Sequence, residues 1–170
     1  DIPVAIKHDI AYTSKDRDNG SIVSNQSIGD NICLPSLGRL GSGPLKFLNY
    51  KKLNEFANKY AKEISVKMVN TDQFVSELSG GNKQKVNLGR WLLKDLDILI
   101  VDCPTRGVDV GVKAYLYDCL KKAKAKNLGI IMITDELGEA IGMCDDIIVM
   151  KDNKIVKSIE RGPEFKEEII

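Results

Sequence analysis

The residues best suited to chemistry in this chain are a serine, two glycines and an aspartate. Leu78-Ser79-Gly80-Gly81-Asn82 reads as a tight glycine turn that opens a helix expected over 82–94. About twenty residues later an apolar strand, Leu96-Asp97-Ile98-Leu99-Ile100-Val101-Asp102, ends in an acid. Backbone N–H groups of a glycine turn at a helix N-terminus form an anion site. A carboxylate at the end of a buried strand is a hard oxygen ligand of the kind Mg²⁺ takes. Open α/β sheets bind ligands at that strand edge. The pair points to nucleotide phosphates. Two plainer readings stay open: Ser79 as an ordinary helix cap, and Asp102 as a strand-end acid capping the next turn.

These residues need a scaffold, and the pattern predicts one. Ile10-Ala11-Tyr12-Thr13 reads as a short strand, followed by a polar stretch over 14–30 with a turn at Asn19-Gly20. A short helix interrupted by Pro35 is expected over 31–40, then a breaker cluster at Gly41-Ser42-Gly43-Pro44. Leu53, Phe56, Ala57, Tyr60, Ala61 and Ile64 fall at helical spacing and predict an amphipathic helix over 50–64. Beyond Leu78 the rhythm is α/β. A helix over 111–127 leads to an apolar run over 129–134, expected as a buried parallel strand. A short helix over 136–143 and a hairpin turning at Lys151-Asp152-Asn153-Lys154 complete the pattern. The alternation implies a mostly parallel sheet.

Composition narrows the classes. The chain has 170 residues, 43% hydrophobic, with a formal net charge of +1. Charges of both signs are dispersed, so no nucleic-acid partner is expected. No apolar run approaches the roughly 20 residues of a membrane span. Cys33, Cys103, Cys119 and Cys144 are scattered and His8 is the single histidine, so neither a zinc site nor a disulfide framework is expected.

The wording of the motifs carries a resemblance. Leu78-Ser79-Gly80-Gly81-Asn82-Lys83-Gln84-Lys85-Val86, the strand to Asp102, and Pro104-Thr105-Arg106-Gly107-Val108-Asp109-Val110-Gly111 resemble the ATP-binding subunits of ABC transporters. More narrowly they are similar to the C-terminal nucleotide-binding half of the duplicated ATPases that energise bacterial sugar importers. Ile10-Ala11-Tyr12-Thr13-Ser14-Lys15-Asp16-Arg17 is similar to that group's segment around the Q-loop. The resemblance implies a P-loop NTPase-like α/β fold, with a helical subdomain over about 31–77, the signature motif at 78–82, and an α/β core over about 1–30 and 82–170. It implies ATP and Mg²⁺ as cofactors. Ser79, Gly80, Gly81 and Asn82 would face the γ-phosphate held by an opposite domain, Asp102 would hold Mg²⁺, and Asp109 would act across the dimer. A turn residue remains the alternative for Asp109.

Departures matter equally. The phosphate loop G-x-x-x-x-G-K-[ST] is absent: Gly38-Arg39-Leu40-Gly41-Ser42-Gly43 is followed by Pro44-Leu45, and no strand precedes it. The chain is therefore expected to be a piece truncated at its N-terminal part. Cys103 follows the acid where the family carries a glutamate that orients water. A thiol, mostly protonated at neutral pH, replaces that acceptor poorly, and a small apolar filler is the expected role. Asp135 stands at the switch-histidine position. Lys15 falls at the Q-loop glutamine; it is either a point charge for phosphate or a solvated loop lysine. No residue is assigned as catalytic, and the isolated chain is expected to be inactive.

The expected role is to supply the signature turn to a composite ATP site. The expected partners are an N-terminal nucleotide-binding half or second ATPase subunit and membrane permease subunits, at the inner face of the cell membrane. Self-association through apolar surface left uncovered is also expected. The alternatives are a non-transport ABC ATPase, which would be expected to carry coiled-coil inserts or basic tracts, and a degenerate interaction module, which the intact signature argues against.

Overall fold

The computed structural model describes residues 2–42, 47–162 and 165. The chain divides into two compact units, 1–131 and 132–170.

The first unit holds both motif blocks. Helix α1 (Ile2–Lys7) leads into β1 (Ile10–Thr13), which pairs in parallel with β4 (Ile98–Asp102), Ile10 opposite Ile98 and Thr13 opposite Val101. Alternation sets the buried face of this pair: Ala11, Thr13, Leu99 and Val101 are at most 2% exposed, whereas Tyr12 points outward. Strand β5 (Gly129–Ile133) extends the sheet in the order β1-β4-β5. The sequence reading of β5 as a buried strand is corrected here. Ile131 and Ile133 are about half exposed, 53% and 49%. β5 lies at the edge of the described sheet, so it is bonded along one side.

Between β1 and β4 the described residues are mostly helical. The polar stretch after β1 is more ordered than its composition implied. It contains the short helix α2 (Arg17–Gly20), capped by Asp16, which accepts from the Asn19 amide. Helix α3 (Ile28–Cys33) begins three residues earlier than expected because Ser27 caps it, accepting from the Asp30 amide. Pro35 sits in the 3₁₀ turn Leu34–Ser36 that separates α3 from α4 (Leu37–Leu40). The breaker cluster begins as strand β2 (Gly41–Ser42), antiparallel to β3 (Phe47–Leu48); the remainder of that cluster lies outside the described residues. Helix α5 (Tyr50–Glu63) matches its predicted stripe, with Ala57 and Ala61 buried. Ile28, Ile32, Ala61, Ile64, Val75, Leu78 and Val86 form a core over which Phe56 and Tyr60 pack. Helix α6 (Gly80–Leu92) contributes Val86 and the fully buried Leu88. Helix α7 (Val110–Lys124) turns Leu116 and Leu120 inward.

The second unit contains α8 (Leu137–Met143) and the antiparallel pair β6 (Asp146–Lys151) and β7 (Lys154–Glu160). Asp152 and Asn153 both take positive φ, 48° and 59°, as a two-residue hairpin turn requires. Ile147, Ile159 and Phe165 form its core, and the Arg161 guanidinium bonds the carbonyls of Ile141 and Cys144.

Candidate phosphate-facing site

The signature turn is built differently from a loop. Gly80 and Gly81 form the first turn of α6, so the helix starts two residues before the expected Asn82 and ends at Leu92 rather than Lys94. Ser79 is the cap, extended at φ −60°, ψ 155°. Its Oγ accepts from the Asn82 amide at 3.4 Å and from the Asn82 side-chain amide at 3.0 Å. Both bonds use oxygen lone pairs, which leaves the hydroxyl proton available to donate. Asn82 Oδ1 accepts from the Lys67 amide at 3.0 Å, so this side chain ties the turn to the loop before it.

Space, not backbone freedom, dictates the two glycines. A Cβ on Gly81 would lie 2.7 Å from Val112 Cγ2 on α7 and 3.6 Å from Asp109 Oδ2. A Cβ on Gly80 would lie 3.0 Å from Arg17 Nη2 and 3.5 Å from the Gly107 carbonyl oxygen. The turn is thus pressed between α2 and the loop that follows β4. Gln84, buried one turn into α6, reinforces this by donating to the Pro104 carbonyl at 2.6 Å. Arg90, further along α6, is 3% exposed and donates to the Ser21 carbonyl. Burial pulls its guanidinium down to about 10, which keeps it charged at neutral pH.

Asp109 caps α7, its Oδ1 accepting from the Val112 amide at 3.0 Å. Its place beside Gly81 brings the two motif blocks together. Asp102 ends β4 as expected, and the Tyr12 hydroxyl donates to its Oδ2 at 3.0 Å. Burial, and then this bond, hold the Tyr12 phenol above its ordinary range. Among the described residues no group of three His, Cys, Asp or Glu side chains gathers around Asp102 or elsewhere. A single open carboxylate fits Mg²⁺, which keeps most of its waters and takes one or two carboxylates plus phosphate oxygens. It does not fit an all-protein cage.

Cys103 is buried at 7% exposure and takes φ +45°, a left-handed conformation rare outside glycine. Lys15 is exposed in the loop after β1. Asp135 belongs to the second unit and is exposed. Gly38 lies in α4 and Gly41 in β2, so the rejected glycine-loop spacing has no strand–loop–helix context. Two contributors went unassigned in the sequence: Arg17, whose segment carried the Q-loop resemblance, and Tyr12, whose signal was its outward register beside the β4 acid.

The ABC transporter family profile matches residues 5–106. The chain is 38% identical over 166 residues to the ribose import ATP-binding protein RbsA of Clostridium perfringens, covering 98% of this chain and 33% of that protein. It is 42% identical over 151 residues to the xylose import ATP-binding protein XylG of Thermoanaerobacter pseudethanolicus, covering 89% and 30%. The chain thus spans about a third of the length of these curated relatives. The fold is that of ATP-binding cassettes. The dimeric cassette MJ0796 bound to ADP and Pi aligns with a TM-score of 0.75 at 20% identity, covering 94% of this chain and 66% of that one. The cassette cbiO1 from Clostridium perfringens, part of the complex cbiONQ, aligns at 0.71 and 20%, covering 96% and 61%. No helix among the described residues is long and apolar enough to cross a membrane. Motif wording, sheet topology and family profile agree: this chain belongs to the ABC transporter family.

Proposed function

We propose that this chain belongs to the ATP-binding subunit of an ABC-type sugar importer, and that its part is to complete an ATP site held by another nucleotide-binding domain. The observation that carries this reading is Ser79 at the cap of a 13-residue helix, its Oγ used as an acceptor by Asn82 so that the hydroxyl proton is left to donate. Ser79, Gly80, Gly81 and Asn82 present a hydroxyl and first-turn amides to a terminal phosphate, and the helix dipole favours the negative charge there. Asp109 caps α7 beside that turn. Asp102 would hold Mg²⁺, which when bound offsets the phosphate charge, and Tyr12 orients the carboxylate for it. Lys15 adds a cation in the loop after β1.

Sugar uptake is supported by the names of the relatives, ribose and xylose import ATP-binding proteins. The partners in this reading are a second nucleotide-binding domain carrying the phosphate loop and permease subunits in the membrane, with this chain at the cytoplasmic face. Residues 31–77 are the helical subdomain that would meet the permease. The exposed faces of Ile131 and Ile133 are apolar surface through which copies of the chain would associate when alone.

Calorimetry tests the composite site directly. The chain by itself, with Mg²⁺ and millimolar ATP, is expected to give no binding heat, because no G-x-x-x-x-G-K-[ST] loop is present in it. With the second domain supplied, Ser79→Arg is expected to abolish hydrolysis. Tight binding by the chain alone, or an unaffected Ser79→Arg assembly, defeats the reading.

A further inference from the structure

Arg17, the first residue of α2, reaches several separate stretches of chain from one side chain that is 19% exposed. Nη1 donates to the Arg106 carbonyl at 3.4 Å, in the loop after β4. Nη2 lies 3.0 Å from where a Cβ on Gly80 would stand and 3.9 Å from the same point on Gly107. Nε is buried without a hydrogen bond, 3.7 Å from Asp18 Oδ2. Asp18 pairs at 3.0 Å with Lys83, three residues into α6. Ser21 then receives Arg90 from the same helix. The segment from Arg17 to Ser21 is therefore fastened to α6 by charged groups along its length, and its guanidinium closes the remaining gap between α6 and the loop after β4.

The glycines fit this arrangement. Gly80 is helical and needs no special φ; what a side chain there would meet is the Arg17 fork. Gly107 does need its conformation, φ +66°, and that turn follows directly on the Arg106 carbonyl that the fork holds. A planar guanidinium can donate along one edge while its face and second arm lie against backbone; an ammonium on a flexible stem cannot hold both.

We propose that Arg17 is a positioning residue that couples the loop after β1 to the Ser79–Gly81 turn and to the Arg106–Gly107 loop, so that the three shift together. Its contacts are to the Arg106 carbonyl, Asp18 and the Gly80 turn. It fixes the direction of the Ser79 hydroxyl and first-turn amides relative to the loop that carries Asp109. Its consequence for hydrolysis rests on the reading of Ser79–Gly81 as phosphate-facing; the mechanical coupling does not.

Hydrogen–deuterium exchange on the full chain tests the coupling. In Arg17→Lys, exchange at the amides of 79–83 and of 105–109 is expected to rise together, by about tenfold, with α5 unchanged. A rise in one stretch alone, or in neither, overturns the proposal. Gly80→Ala gives an independent measure. Its methyl displaces the fork by a few tenths of an ångström, so exchange at 105–109 should rise although the substitution lies in the other stretch. Combining it with Arg17→Ala should produce less than the sum of the two effects, and strict additivity overturns the coupling. In the assembled ATPase, Arg17→Lys is expected to lower kcat about tenfold with KM for ATP within about twofold; an unchanged kcat overturns the consequence for hydrolysis. The two readings fail differently. If Ser79→Arg leaves hydrolysis intact while the exchange coupling persists, the phosphate reading is lost and the coupling stands.

Discussion

The signature turn and the tip of β4 are about twenty residues apart in sequence and are built in opposite ways. At the turn every group has a structural counterpart. Ser79 caps α6, Gly81 admits Val112, Gly80 admits Arg17, and Gln84 holds Pro104. At the tip, Asp102 accepts from Tyr12, and the next residue is a buried thiol in a left-handed conformation. A turn of this precision is what completing a neighbour's phosphate site requires, because misplacement by an ångström forfeits most of the benefit of orientation. In the proposed reading, hydrolysis in a site of its own would need an acceptor for the attacking water beside the acid, and a thiol at Cys103 is a weak one.

The largest effect expected from this contrast is on activity. Ser79→Arg should lower the hydrolysis rate of the assembled ATPase by a factor on the order of 10²–10³, the usual loss when a phosphate- or oxyanion-facing donor is removed. Cys103→Ser, a nearly isosteric change at the other region, should leave the rate within about twofold. Comparable losses from both would mean that the two regions share one catalytic role.

Next in size is stability. Gly81→Ala places a methyl 2.7 Å from Val112 Cγ2, so α6 and α7 must separate at a cost of about 1–3 kcal/mol. For a chain of this length that is a loss of roughly 2–4 °C in Tm for each kcal/mol. Gly38→Ala and Gly142→Ala are the controls. Both sit in helices with nothing within 4 Å of a new Cβ, and each should stabilise by about 0.5–1 kcal/mol. Thermal unfolding of the three variants separates a turn fitted to its neighbours from glycines that have none to fit.

A smaller effect belongs to the tip. Tyr12→Phe removes the donor to Asp102 from an exposed phenol, a bond worth about 0.5–1 kcal/mol. The affinity for Mg²⁺ with nucleotide at the Asp102 site of the assembly should fall about two- to fivefold, with kcat at saturating Mg²⁺ unchanged. No shift would leave Tyr12 as a strand residue in passing contact with the acid.

What the sequence revealed follows from where local signals decide the outcome. The α5 stripe, the Asp152-Asn153 hairpin and the strand ending at Asp102 depend on periodicity and turn chemistry, and they appear as read. The start of α6 was placed two residues late because Gly-Gly is a strong turn signal; tertiary crowding by Val112 and Arg17 puts both glycines inside the helix. The segment after β1 read as a polar loop because its order comes from distant cations, Lys83 and Arg90, which no local window contains. The exposure of β5 was missed for the same reason: an apolar run predicts a strand, but the neighbours that would cover it are set by the whole sheet. At the site, motif wording located Ser79, Asp102 and Asp109, whereas Arg17 becomes legible only when the Arg106 carbonyl and Gly80 are seen on either side of it.

The finest discrimination is between two buried thiols, Cys33 in the α3 core and Cys103 at the β4 tip. Cys33, in α3, is 3% exposed and its Sγ donates to the Leu53 carbonyl at 3.6 Å. Burial, and secondarily the charge of Asp30, push this thiol up from 9.0 to about 11. Between those values the folded chain holds a proton that the unfolded chain has released. The contribution to stability is therefore complete below pH 9 and declines as pH rises toward 11. Urea unfolding midpoints of the native chain and of Cys33→Ala, followed from pH 8 to pH 11, should converge or cross as the native chain loses this contribution, while Cys103→Gly at neutral pH, which removes the Cβ that opposes φ +45°, measures what the left-handed backbone costs at the β4 tip. Parallel pH profiles for the native chain and Cys33→Ala would mean that the thiol is not held neutral by its surroundings. The α3 core would then be wetter at that point than its packing implies, and the contrast with the β4 tip would rest on geometry alone.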